Sequence, residues 1–379
     1  MFELWSIIAI IIGVFYASIL LWLIIGVKRL EIFKNTKNTP TTSFSIIVAF
    51  RNEEKNLSPL LQSLASMDYP KRLFEILLVN DASSDQSVAI VQRFITENKQ
   101  LSFSLLENKR KSISPKKDAI NTAIEVSKYD WILTTDADCS ISKEWLTTYD
   151  SYINNKNVVF IAGMVSYREK KGFIHQFQQL DWLSLIGVTM GSFGWNKPLL
   201  CSGANLAYQK KVFYQVNGFE GNEHIASGDD VFLMQKMQNS FPKQLAYLNS
   251  KQALVQTQSM NTWKELYQQR IRWAKKTSSL SNILIKVVGV GVLLANFTLI
   301  LLFIIGFIDS LKWIYFIVFL VLKIIIDSLL LYRTAANLHQ KTPFITWLFS
   351  SLLYPFFSVS VVVLGLFTNY RWKGREFDK

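Results

Sequence analysis

The chain is short of the residues that build metal clusters and covalent cross-links. Two cysteines, Cys139 and Cys201, and three histidines stand among its 379 residues. Two cysteines are too few for a disulfide framework and fit a reducing compartment, where both read as structural. His175, His224 and His339 show no metal-ligand spacing. Acidic residues are scarce as well: 28 Asp and Glu face 41 Lys and Arg, for a formal net charge of +13. So basic a balance could serve a nucleic acid, but no basic groove motif accompanies it, and long apolar runs argue against that partner. The first residues, Met-Phe-Glu-Leu, lack the basic n-region of a cleaved signal peptide, and no small-residue cleavage site comes after them.

Charge is missing altogether from Trp5 to Val27. At about 1.5 Å per helical residue that stretch covers a bilayer core of about 30 Å, so 1–28 is expected to be a transmembrane helix. Lys28 and Arg29 come directly after it. The positive-inside rule then places the amino terminus outside and the next domain in the cytoplasm, on an inner-membrane protein. Further apolar segments lie at Val287–Ile308, Trp313–Tyr332 and Pro343–Phe367, making 283–379 a transmembrane region with a basic tail. The second of these contains Lys323 and Asp327, four apart on one helix face. A lone charge there costs about 2.5–3.5 kcal/mol on insertion scales, so the two should form a structural pair facing protein. Three complete spans would leave Arg371, Lys373 and Arg375 outside, against the rule. One segment is therefore expected to be re-entrant or interfacial, with Pro355 marking the last as the candidate.

Between these regions, over 40–260, the pattern is that of a soluble α/β domain. Phe44–Phe50 (FSIIVAF) is a continuous apolar run of strand length, and Asn56–Ser66 comes next with helical spacing. Glu75–Val79 and Leu101–Leu106 read as the next strands, with a helix starting at Ser87 between them. A helix over Lys116–Ser127 leads into a fourth strand at Trp131. Strands alternating with helices imply a parallel sheet with right-handed crossovers. From 261 to 282 the pattern changes. Trp263, Leu266, Tyr267, Ile271 and Ala274 recur at helical spacing, while Lys264, Arg270, Arg272, Lys275 and Lys276 supply positive charge. This predicts an amphipathic helix at an anionic membrane surface, or else a domain helix with a solvated basic face.

Three of the strands end in polar clusters: Arg51-Asn52-Glu53-Glu54, Asn80-Asp81, and Asp136-Ala137-Asp138. Each alone reads as a helix cap or turn. Neighbouring strands would line one crevice with all three, where open α/β sheets bind ligands. On a strand, Asp136 and Asp138 would share a face. Two carboxylates there suit a hard divalent cation, which would in turn hold a phosphate.

These motifs resemble those of membrane-bound family 2 glycosyltransferases, the group that includes cellulose, chitin and hyaluronan synthases and ceramide glucosyltransferases. The resemblance implies a GT-A fold: a Rossmann-like, mostly parallel α/β sheet forming a cytoplasmic catalytic domain, with transmembrane helices at both ends. It assigns the Phe44–Glu54 strand and turn, with Glu53, to packing against the nucleotide base, and Asp81 to base and ribose. Lys116-Lys117-Asp118-Ala119-Ile120-Asn121 resembles a Gly-Lys-x-x-Ala-Leu-Asn segment near the diphosphate, with Pro115 in place of the glycine. Asp136 and Asp138 match the DxD motif, with Asp138 the expected metal ligand and Asp136 assisting. Ser202–Ala207 resembles the segment that approaches donor sugar and acceptor, and Asn217-Gly218-Phe219 the turn after it. Ser227-Gly228-Asp229-Asp230 sits where relatives carry Glu-Asp with the catalytic base last, so Asp230 is the expected base and Asp229 departs from the commoner Glu. Gln269, Arg272 and Trp273 fit Gln-x-x-Arg-Trp, whose members contact pyrophosphate and acceptor. The tail Trp372-Lys373-Gly374-Arg375 is similar to that of lipid glucosyltransferases.

The implied reaction is an inverting transfer from a nucleotide-diphospho-sugar, a UDP-sugar first among them, with Mg2+ or Mn2+, to a lipid or glycan acceptor at the membrane. The alternatives are a processive polysaccharide synthase and an inactive scaffold with a transferase fold, which would be marked by loss of a site carboxylate.

Overall fold

The computed structural model describes residues 2–36, 39–223, 225, 227–341, 343–368, 370–372 and 375–377. The chain opens with α1 (Phe2–Arg29) and enters the alternation β1 (Phe44–Phe50), α2 (Leu57–Ala65), β2 (Phe74–Asn80), α3 (Ser87–Glu97), β3 (Phe103–Glu107), α4 (Pro115–Val126) and β4 (Trp131–Thr134). It continues through α5 (Trp145–Asn155), β5 (Phe160–Gly163) and β6 (Val165–Tyr167), then leaves the strands for a long helix, α6 (Phe173–Gly194). After it come β7 (Leu206–Gln209), α7 (Lys210–Gln215), α8 (Asp229–Ser240), β8 (Leu245–Leu248) and β9 (Val255–Thr257). The helices α9 (Trp263–Ser278), α10 (Ile283–Ile308), α11 (Trp313–Leu338) and α12 (Phe344–Phe367) are next, and the short strands β10 (Tyr370–Trp372) and β11 (Arg375–Phe377) complete the order.

Two compact units result. One gathers Glu31–Arg168 and Leu200–Gln258; the other gathers Met1–Leu30, Glu169–Leu199 and Ser259–Lys379. The continuous domain expected over 40–260 is thus interrupted, because α6 belongs with the terminal helices. Sequence periodicity gives no sign of α6. It is buried on several sides, from Phe177 through Trp182, Ile186 and Met190, so it carries no polar face to set a helical period.

The first unit is built on a seven-stranded sheet of order β3-β2-β1-β4-β7-β5-β8. β3, β2, β1 and β4 run parallel, as the alternation predicts, and β5 and β8 also run parallel. β7 is antiparallel to both its neighbours, β4 and β5. It returns from α6 rather than from a βαβ crossover, so nothing constrains it to be parallel. β1 and β2 are apolar without alternation, as parallel strands buried on both faces are: all of β2 and nearly all of β1 is buried. Their register aligns Phe50 with Asn80, which brings the polar ends of β1 and β2 to one edge of the sheet. β4, paired in register with β1, ends at the same edge.

Among the described residues, the second unit contains four helices long and apolar enough to cross a membrane: Ser6–Arg29, Ile283–Ile308, Ser310–Leu338 and Ile345–Phe367. α1 and α6 cross at glycines: a Cβ on Gly191 would stand 2.6 Å from the Leu23 carbonyl oxygen, which only a residue without one tolerates. Beside the crossing, Trp195 stacks on Trp22 and donates its indole N–H to the Trp22 carbonyl at 2.8 Å. The Lys323–Asp327 pair forms as expected, at 2.5 Å. Its second partner has no counterpart in the sequence pattern: Tyr16 of α1 donates its hydroxyl to Asp327 Oδ1 at 2.5 Å.

The helix after 261 differs from expectation on its apolar side. Leu266 and Ile271 are buried in a cluster with Phe177 of α6 and Phe357 and Val361 of α12, so protein covers the stripe expected to meet lipid. Arg270, expected on the basic face, is buried and ion-paired to Asp181 of α6. A Thr262–Glu265 capping box starts α9, satisfying two backbone N–H groups at its amino end.

Candidate active site

At the carboxyl edge of the sheet, the β1–α2 and β2–α3 loops are tied to each other. Arg51 donates from Nη1 to the carbonyls of Asp81 and Ala82 at 2.6 and 2.7 Å. The Ser84 N–H donates to Asn52 Oδ1 at 2.8 Å, and the Asn52 N–H to Ser83 Oγ at 3.1 Å. Both loops turn through left-handed residues, Asn52 (φ 50°) and Ala82 (φ 52°). Ala is an unusual choice there, and the flanking hydrogen bonds hold it. Glu53 is buried in the first turn, where its carboxylate accepts from Asn56 Nδ2 at 2.6 Å and its N–H donates to Ser87 Oγ at 2.8 Å.

Asp81 is buried in the second loop, where Asn108 Nδ2 donates to Oδ1 at 2.8 Å and the Arg110 guanidinium stands 3.7 Å away. Motif reading passes over Asn108 and Arg110, in the loop after β3, since no spacing links them to Asp81. Asp118 shapes that loop by accepting from the backbone N–H groups of Lys111 and Ser112, both at 2.9 Å. Pro115, where the family has glycine, occupies the first turn of α4 after Ser114, a position whose missing N–H costs nothing.

Lys116, from the first turn of α4, is the centre of a charged cluster. Its Nζ lies 2.7 Å from Asp136 Oδ1 and 3.3 Å from Asp229 Oδ2. Burial by itself would lower the Lys116 pKa, but the Asp136 and Asp229 carboxylates, the hydrogen bond to Asp136, and Asp230 outweigh it and hold the ammonium well above the ordinary lysine range. Gly203 backs the cluster. Its N–H donates to Asp230 Oδ2 at 3.2 Å, and a Cβ there would meet Asp229 Oδ2 at 3.0 Å and Lys116 Nζ at 3.2 Å. Asp229 and Asp230 occupy the first turn of α8, behind Gly228 in the left-handed region (φ 86°), where acidic side chains complement the helix dipole. Four of the expected site residues, Lys116, Asp136, Asp229 and Asp230, therefore meet.

Neighbouring residues hold this arrangement. Lys117, 1% exposed, donates to the carbonyls of Asn222 and Ile225 at 2.6 and 2.9 Å, fixing the approach to α8. Asn205 is fully buried with its side chain satisfied: Oδ1 accepts from Trp145 and Tyr149, and Nδ2 donates to the Met164 and Ala253 carbonyls. In the Ser202–Ala207 segment it is thus a structural tie, and Gly203 is the member that touches the charged cluster.

The DxD differs from the sequence expectation. β4 ends at Thr134, so Asp136 and Asp138 lie in the turn beyond it and strand alternation does not orient them. Asp136 meets Lys116, while Asp138 Oδ2 accepts from Thr257 Oγ1 of β9 at 3.1 Å. Cys139 is fully buried beside them, and burial, then Asp138 and Asp136, push its thiol well up, which suits a structural cysteine. Among the described residues no three His, Cys, Asp or Glu side chains could hold a metal by themselves; His224 lies outside those residues. Mg2+-type sites need only one or two carboxylates when substrate phosphates and water complete the shell. Asp138 and Asp136 fit that donor set.

Gln269, Arg272 and Trp273 belong to the other unit, on α9. There Arg270 Nη1 donates to Gln269 Oε1, and the Arg270 guanidinium lies 4.2 Å from the Trp273 ring centroid. Lys373 and Gly374 of the tail fall outside the described residues.

The family model described as Glycosyl transferase family 21 matches residues 5–378, and the chain belongs to that family: it is a glycosyltransferase. A poly-beta-1,6-N-acetyl-D-glucosamine synthase of Staphylococcus epidermidis is 25% identical over 359 residues, covering 92% of this chain and 80% of that protein. A poly(ribitol-phosphate) beta-N-acetylglucosaminyltransferase of Staphylococcus aureus is 34% identical over 111 residues, 29% of this chain and 19% of that one. Among solved structures, a mannosyltransferase from Pyrobaculum calidifontis in complex with GDP-Man and Mn2+ aligns with a TM-score of 0.58 at 15% identity, covering 96% of this chain and 99% of that one. At that identity the likeness speaks for the fold.

Proposed function

We propose that this chain moves a sugar from a nucleotide-diphospho-sugar, with inversion, to a lipid acceptor at the cytoplasmic face of a membrane. The observation that carries the reading is the meeting of Lys116, Asp136, Asp229 and Asp230 around Gly203 at the carboxyl edge of the sheet. Departure of a nucleoside diphosphate builds negative charge on two phosphates, and fixed cationic groups there stabilise the transition state. Lys116 is such a group, kept charged by its carboxylate neighbours. Asp138, with Asp136 assisting, would hold a Mg2+ or Mn2+ ion, whose charge offsets that growing on the leaving diphosphate.

Asp230 takes the proton from the acceptor hydroxyl as the new bond forms. It is preferred to Asp229, whose side chain is 10% exposed and ion-paired to Lys116, whereas Asp230 is half-buried. A single displacement leaves the anomeric centre inverted and requires no covalent nucleophile. Glu53 and Asp81 are assigned to the nucleotide base and ribose, and Gln269, Arg272 and Trp273 to pyrophosphate and acceptor. Arg272 offers a planar two-pronged donor that a lysine would not. The carboxylates argue against an inactive scaffold.

A second reading, processive polymer synthesis, is favoured by the likeness to the poly-N-acetylglucosamine synthase over 92% of the chain. One experiment separates the two. Purified protein in nanodiscs is given a panel of labelled UDP- and GDP-sugars, UDP-N-acetylglucosamine first, with membrane lipid. Label extracting into chloroform–methanol as a small glycolipid is the expected result. Label in a long water-soluble polymer, cut by a glycan hydrolase, would overturn the lipid acceptor in favour of the synthase.

A further inference from the structure

α9 carries the three motif residues at i, i+3 and i+4, the spacing that puts Gln269, Arg272 and Trp273 on one helix face. Arg270 lies one position round from that face and is 5% exposed. Its guanidinium does three things at once. Nε donates to Asp181 Oδ2 of α6 at 2.5 Å, Nη1 donates to Gln269 Oε1, and the plane lies against the Trp273 ring. Asp181, itself 5% exposed, accepts a second hydrogen bond at Oδ1, from Tyr354 of α12 at 3.1 Å. Trp273 also packs against Trp182, centroids 5.6 Å apart.

Apolar residues of similar volume would join three helices at least as well as a buried ion pair. The cluster around Phe177, Leu266 and Phe357 already does so a turn away. Stability therefore does not account for a charged pair here. What the pair adds is direction: a planar fork that touches two of the three motif members.

We propose that Asp181 and Arg270 are positioning residues that fix the side chains of Gln269 and Trp273 on α9, and that Tyr354 holds Asp181 for the purpose. This rests on the reading that Gln269, Arg272 and Trp273 act on the transferring groups. Arg270 touches no substrate in this scheme. It acts through its neighbours, and its loss should be felt in kcat more than in thermal stability.

The test uses the full chain in nanodiscs, with the UDP- and GDP-sugar panel as donors, UDP and GDP as binding probes, and a thermal midpoint for each variant. Arg270→Ala strands a buried carboxylate and risks misfolding, so two other variants decide. Arg270→Lys keeps the charge for Asp181 but loses the planar fork. The triple variant Asp181→Leu, Arg270→Met, Tyr354→Phe replaces the pair, and the hydroxyl that donates to it, with apolar volume. Both should keep the wild-type midpoint. Turnover should fall about 10-fold in the first and about 100-fold in the second, the scale of a misplacement of about 1 Å.

Arg272→Ala, measured alongside, separates the two ideas. If Arg272→Ala is inactive while both variants turn over at the wild-type rate, the positioning inference is overturned and the motif reading stands. If Arg272→Ala is fully active, the motif reading fails, and a loss in Arg270→Lys would then assign a direct role to Arg270, which also overturns the inference.

Discussion

At the scale of single residues, the proposed mechanism turns on which carboxylate can take a proton. Asp229 is committed to Lys116, so Asp230→Asn should lower kcat by at least about 100-fold, within the usual range for loss of a general base. UDP and GDP binding should stay near wild type, because Asp230 is assigned to the acceptor. A collapse of nucleotide binding instead would make Asp229 the better base. Asp138→Asn should abolish transfer in a protein that still folds, and a chelator should do the same to the wild type until Mg2+ or Mn2+ is restored. Full turnover in chelator, with no metal detected by elemental analysis, would reject the metal assignment. Lys116 has its own signature in pH. Its pKa is raised in the folded protein, so the stability its charge contributes is whole below the unfolded lysine value of about 10.4 and is lost only as pH rises through the higher folded one. The activity profile should show no alkaline limb from Lys116 below about pH 10, and Lys116→Met should leave the shape of the profile unchanged while lowering its height.

Much of this site is legible in the sequence because strand ends announce themselves: an apolar run stopping at Asn80-Asp81 or Thr135-Asp136 marks both the strand and the polar loop beyond it. The meeting of Lys116 with Asp229 is not, since nothing in the spacing of residues so far apart in the chain reports a salt bridge. The orientation of the DxD is misjudged from sequence for a local reason, in that β4 stops at Thr134, short of both carboxylates.

Among the secondary-structure elements, the apolar helices contrast with α6. Three C-terminal segments and α1 can be read from hydropathy alone, whereas α6, with Trp182, Ile186 and Met190 buried on different sides, offers neither a long apolar run nor a period. The tie between α1 and α11 is a further case. The Lys323–Asp327 pair obeys i,i+4 geometry, but Tyr16 stands 311 residues away from Asp327. Removing one charge of that pair leaves the other uncompensated in an apolar bundle, at a cost of about 2.5–3.5 kcal/mol on insertion scales. Asp327→Leu should therefore lower the thermal midpoint in nanodiscs, and adding Lys323→Leu should restore most of it. Equal losses in single and double variants would show that Tyr16 or the helix packing, rather than the ion pair, holds the tie.

For the molecule as a whole, the placement of β7 has a consequence in time. This strand joins β4 to β5 at the middle of the sheet, yet it is synthesised only after α6. At about 5–20 residues per second, the interval between the emergence of Thr134 and that of Leu206 is on the order of 4–14 s. Throughout it, β4 offers an unpaired edge of the kind that recruits other chains, and β5 has neither of its eventual partners. A nascent chain can therefore assemble the parallel half, β3-β2-β1-β4, early, but the half that brings Gly203 and Asp230 to Lys116 waits for the ribosome to pass the helix between them. The enzyme becomes competent late in its own synthesis, and its vulnerable moment is set by the order of its elements rather than by their strength.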